Sequence, residues 1–147
     1  MADHVRKQVR NAVETALPVS MPGLTLLKSN AKNIDGSQLP AVRVIARREV
    51  ILQEAMAGWG VDREIELKVI VNDFDGDDLD DVMDAHGASV EPAILSILDV
   101  SGIVEVAEYL GSEITLEGVG EQRSGAIELT FRVVVQTPEG DPTTVEN

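Results

Sequence analysis

Between Ala126 and Gln136 the apolar residues Ile127, Leu129, Phe131, Val133 and Val135 recur at every second position, which is the period of a strand with one face buried. A second run repeats the pattern: Ile65, Leu67, Val69 and Val71 alternate with Glu64, Glu66, Lys68 and Ile70. Strands of this kind bury one side and leave the other to polar residues, so they demand a cover on a single face. Ala41 to Leu52, rich in β-branched residues, reads as a further long strand, Ile103 to Glu117 as another, and Leu24 to Lys28 as a short one. Gly118, Gly120 and Gly125 mark the turn before the last strand.

The cover comes from two helical patterns. Val5, Val9, Ala12, Val13, Ala16 and Leu17 fall on one face of a helix that Asp3 is placed to cap and Pro18 to end. The second runs from Asp77 to Leu98, with Leu79, Val82, Met83, His86, Val90, Ile94, Ile97 and Leu98 on one face. Gly87 and Pro92 predict an interruption in it. The order helix, strands, helix, strands specifies an α+β, sandwich-like fold: a mixed or antiparallel sheet of four to five strands with two main helices packed on it. At 147 residues the chain has the size of one domain. Residues 1–137 form that domain in this reading, and 138–147, polar and containing Pro138, Gly140 and Pro142, are expected to be a flexible tail. There is no internal repeat or heptad pattern.

Charge narrows the classes of function. The formal net charge is −14, yet Met1 to Lys68 carries 10 basic and 8 acidic residues, Val69 to Gln122 carries 0 and 14, and Arg123 to Asn147 carries 2 and 4. Such a middle segment repels a polyanion, so groove or backbone binding to nucleic acid is disfavoured. The chain has no cysteine, which removes disulfides and thiolate chemistry. The polar start and the lack of a long apolar run point to work in the cytoplasm without a membrane.

Catalytic constellations are thin. His4 and His86 are the only imidazoles, and neither stands at a nucleophile or metal-ligand spacing. His86 lies on the apolar face of the second helix, where a hydrogen-bonded histidine is the common case. Gly118-Val119-Gly120 precedes a strand instead of opening a helix, so it is not a phosphate cradle. The stretch from Asn72 to Asp81 places six carboxylates at a strand-to-helix junction. Asp75, Asp77 and Asp78 are the candidates there for a weak Mg²⁺ or Ca²⁺ site. An EF-hand register fails, because Asp78 stands where the turn glycine belongs and Asp84 where the bidentate glutamate belongs. The simpler role for Asp77 or Asp78 is to cap the helix, with the other acids favouring its dipole. Contact residues are the remaining candidates: Trp59 in the glycine-bracketed tip Met56 to Gly60, and the pair Arg47 and Arg48, which as strand neighbours point to opposite faces.

Taken together and in order, several segments resemble the phage tail terminator family, typified by the minor tail proteins of lambda-like phages. They are the opening helix with Val9, Ala12 and Val13, the strand entry Leu39 to Val44, and the alternating strand Glu64 to Val71. The acidic turn followed by Leu79-Asp80-Asp81-Val82-Met83 and the closing strand Ala126 to Phe131 complete the set. The resemblance implies a structural protein, not an enzyme, without cofactors. It implies a hexameric ring that caps the tail tube, ends tube polymerisation and provides the head-tail joining surface, first in the host cytoplasm and then in the virion tail. Its partners would be further copies of the chain, the tail-tube protein and head-tail connector proteins, with DNA passing through the lumen unbound. Another neck or tube-like subunit, or a small divalent-cation-binding module, is the alternative.

Overall fold

In the computed structural model, residues 2–28, 34, 36–52, 60–74, 78–117 and 124–146 are described. The two alternating runs become the central strands. With α1 (Val5–Ser20), β1 (Thr25–Leu26), β2 (Ala41–Leu52), β3 (Val61–Phe74), α2 (Leu79–Val100), β4 (Val106–Glu117) and β5 (Ser124–Thr137), they form one five-stranded sheet in the order β1-β2-β3-β5-β4. The short β1 runs parallel to β2, and every other pairing is antiparallel. This is the α+β arrangement of two helices on a mixed sheet.

Both helices lie on the same face. Val5, Val9, Val13 and Leu17 of α1 and Leu79, Met83, Val90, Ile94, Ile97 and Leu98 of α2 join one core with the inward residues of β2, β3 and β5. α1 packs over β1 and β2, and α2 over β3, β5 and β4. Phe131 sits at the centre, fully buried, with the Tyr109 ring tilted against it at 5.4 Å.

Four local expectations are corrected by packing. His4, not Asp3, is the N-cap of α1: its Nδ1 accepts from the Arg6 N–H at 3.0 Å, and Asp3 is drawn instead to Lys7 at 2.9 Å. α1 runs through Pro18 to Ser20, because only the bond to the Glu14 carbonyl is lost and Met21 N–H still reaches Leu17 O at 2.8 Å. α2 is continuous across Gly87 and Pro92. At Gly87 the helix lies close against the sheet, since a Cβ there would stand 2.9 Å from Ile127 Cδ1. Asp78 holds the N-cap position of α2 without a side-chain capping bond, so Asp80 and Asp81 in the first turn serve the dipole alone.

The polar segment after β5 is tied down along α1. Val5 N–H donates to Pro142 O at 2.7 Å, Gln8 Nε2 to Thr143 O at 2.8 Å, and Glu146 N–H to Gln136 O at 2.8 Å, while Val145 packs on the core. Asp141 organises the turn by accepting from the Thr143 N–H and hydroxyl and from the Thr144 hydroxyl. The Thr143 hydroxyl first, and then its amide, hold this carboxyl down at about 2 against an ordinary 3.8. A folded value below the unfolded one contributes stability above 3.8 that is lost as pH falls toward 2. The expected result is that Asp141→Ala melts below the wild type at neutral pH, and that the gap closes as melting curves are taken down to pH 2.

Candidate functional site

The side of the sheet away from the helices is open, and its strands place charge there by simple alternation. Asp62, Glu64, Glu66 and Lys68 of β3, Glu128 and Arg132 of β5, and Glu108 and Glu113 of β4 all take this face. They interlock across strands: Lys68 Nζ meets Glu128 Oε1 at 3.0 Å and Glu66 Oε1 at 3.8 Å. Arg132 reaches Glu64 at 3.1 Å and Glu108 at 3.7 Å. The hydrogen bond to Glu128 holds the Lys68 ammonium above its ordinary value.

Arg47 and Arg48 are both exposed, for a reason that strand alternation does not contain. The register slips between Ile45, opposite Lys68, and Arg48, opposite Glu66, so Ala46 and Arg47 share one partner position in a β-bulge. Arg48 thereby joins Arg43 and Ile45 on the open face, and Glu49 turns inward. Sequence reasoning missed the consequence. Arg63 is buried and donates to Glu49 Oε1 at 2.7 Å and to the buried Thr137 hydroxyl at 2.7 Å. His4 Nε2 stands 3.0 Å from Glu49 Oε2. This buried pair was invisible in the sequence because the bulge reverses which residues of β2 face inward.

β4 forms one edge of the sheet, and β2 with the short β1 the other. Among the described residues β1 pairs with Ala41 and Val42 of β2, and β4 pairs with β5 alone. Apolar residues stand exposed on each: Val50 and Ile51 on β2, Val106, Leu110 and Leu116 on β4. Beside β4 a groove of about 470 Å³ is lined by Leu95, Ser96, Asp99, Val104, Glu105 and Ala107.

The two edges carry opposite charge. Arg43, Arg47 and Arg48 lie on β2 and Arg6, Lys7 and Arg10 on the overlying α1. At the other end β4 brings Glu108 and Glu113, preceded by Glu105, and α2 exposes Asp80, Asp81, Asp84 and Asp99. Partial burial and then the neighbouring Asp62 carboxylate push the Glu105 carboxyl above its ordinary value. The excess counted along the chain is therefore a polarity across the sheet.

No protein-family model and no curated protein matches this chain.

The remaining candidates divide. His86, half-buried, meets Asp73 Oδ2 at 2.8 Å, and Asp73 also accepts from its neighbour's N–H; the pair joins α2 to the end of β3. No cluster of three or more metal-capable side chains occurs among the described residues. Asp78 is described, whereas Asp75, Asp77 and Trp59 lie outside the described residues, as do Gly118 and Gly120. No helix is long and apolar enough to cross a membrane among those described.

Proposed function

We propose that this chain is a structural assembly subunit that associates head to tail into a closed ring, acting as the terminator of a phage tail tube. One observation carries the reading: the two ends of the sheet, β2 with α1 and β4 with α2, carry opposite charge. Such a molecule is not complementary to itself through either edge alone, so copies join heterologously, and a heterologous contact closes a ring where its rotation divides the full turn and otherwise builds an open filament. Interaction without turnover is the role that fits, with the tube protein on one side of the ring and head-tail connector proteins on the other. The resemblance in the ordered segments supplies the tail terminator and a count of six.

In this reading the exposed acids of α2 present like charge to DNA passing through the ring, which keeps the polymer from sticking. Negative-stain images of the purified protein are expected to contain closed rings. Added to growing tail tubes, the rings should halt elongation, whereas a tube-like subunit would stack into long polymers. A cation module built on Asp75, Asp77 and Asp78 makes a different prediction: millimolar Mg²⁺ or Ca²⁺ would raise the melting temperature, and changing the three to Asn would abolish the rise. The ring reading expects an unchanged melting curve.

A further inference from the structure

We propose that the open face of the sheet carries, at a bulge in β4, a socket for one cationic side chain of a partner protein: an arginine on an extended segment that also brings apolar contact to Leu110. The proposal goes beyond the ring and does not depend on it, since every residue it uses belongs to one subunit.

The socket follows from the backbone. β4 slips against β5 between Tyr109, opposite Phe131, and Gly111, opposite Thr130, so Leu110 is the extra residue of a bulge. Gly111 has a φ of +153°, in the range that favours glycine, and a Cβ there would meet nothing within 4 Å. Thr130 points away from the helices by the alternation of β5, and the β4 position across from it therefore holds no side chain. The result is a hollow of about 250 Å³ lined by Leu110, Gly111, Ser112, Glu113, Glu128 and Thr130. It falls below the roughly 300–1,000 Å³ usual for small-molecule sites, which favours a single side chain over a free ligand.

Charge says which side chain. Glu113 stands directly opposite Glu128, and like charges so placed destabilise a sheet. Lys68 reaches Glu128 at 3.0 Å but is shared with Glu66 at 3.8 Å, and Arg132 is held by Glu64 and Glu108. Glu113 is exposed and makes no ion pair among the described residues. A cation over Gly111 would face Glu113 and Glu128, one carboxylate from each strand, and offset their repulsion. A guanidinium suits the pair, because its planar fork offers separate N–H groups to two carboxylates and its stem can lie on an apolar neighbour. Leu110, 57% exposed at the lip of the hollow, supplies that surface.

The same face decides between a second copy and another protein. Across β3, β5 and β4 it holds the carboxylates Asp62, Glu64, Glu66, Glu108, Glu113 and Glu128 against the cations Lys68 and Arg132 alone. Two copies laid face to face would repel, whereas a basic partner is attracted.

Amide NMR spectra of the full chain test the socket with capped Val-Arg-Val and with its citrulline counterpart, which keeps the shape and loses the charge. The arginine peptide is expected to shift the amides of Leu110 to Glu113 and of Glu128 to Thr130 saturably, and the citrulline peptide is not. Glu113→Gln, a change at an exposed position, should weaken binding roughly tenfold, in line with the loss of a hydrogen bond to a charged group. The proposal is overturned by an absence of saturable shifts at these amides, by equal shifts from both peptides, or by an unchanged affinity in Glu113→Gln. Shifts spread evenly onto Asp80 and Asp81 of α2 would mean charge attraction without a socket, and also overturn it. So would the same shifts from millimolar Mg²⁺ alone, which mark an inorganic cation site, or from raising the protein concentration without peptide, which mark a second copy as the occupant.

Discussion

Phe131→Ala is expected to destabilise the subunit by about 3–5 kcal/mol, the usual cost of removing a fully buried aromatic ring. The position leaves little room for relief. Phe131 stands on β5, flanked by β3 and β4, with Leu67 and Tyr109 as its cross-strand partners and no exposed surface. The Tyr109 ring, 5.4 Å away, loses its aromatic contact as well. Domains of this size have roughly 5–15 kcal/mol in total, so urea melts should find the variant close to the limit of folding at 37 °C. Phe131→Leu, which keeps most of the volume, is expected to cost under about 1.5 kcal/mol. A loss of under about 1 kcal/mol for the alanine variant, well below the usual range for a buried Phe, would mean that the core centre lies elsewhere.

Arg63→Met carries the second large effect, expected at about 3 kcal/mol or more. The methylene stem is replaced, but Glu49 is left with a carboxylate that is mostly buried, and the Thr137 hydroxyl loses its 2.7 Å donor. Glu49 Oε2 makes no hydrogen bond in place, and His4 Nε2 stands 3.0 Å from it, so loss of the guanidinium leaves the carboxylate to that one imidazole. Two buried charges that depend on each other are costly to separate and much cheaper to remove together. Arg63→Met/Glu49→Leu is therefore expected to recover most of the loss. A double-mutant cycle by chemical denaturation gives the coupling directly, and an additive result would rule out the pairing as the source.

How far the sequence carried depends on where backbone and side-chain patterns agree. Ile65 to Val71 and Ile127 to Val135 are buried as their alternation requires, because these strands run without a register shift against each other. β2 was legible as a strand, but not in its inward and outward faces. A bulge adds one residue without any required composition, and Ala46-Arg47 carries no glycine to announce it. Everything beyond that point flips: Glu49 turns in, Arg48 turns out, and the arginine pair can no longer be assigned to opposite faces. Gly87 and Pro92 illustrate the opposite error. Local propensity reads both as breaks, whereas four buried residues beyond Gly87, namely Val90, Ile94, Ile97 and Leu98, hold the helix on the sheet. The charge segregation was countable from the start. Its meaning was not, since only the order β1-β2-β3-β5-β4 puts the arginines of β2 and the glutamates of β4 at opposite ends of one surface.

Head-to-tail association through edges of opposite charge is read out by the solution mass of the purified protein under light scattering at rising salt. A closed multiple near six times the 15.8 kDa subunit at low ionic strength, falling toward the monomer as salt screens the edge charges, is the result expected. A monomer at every concentration and salt, or a two-fold dimer indifferent to salt, would contradict it.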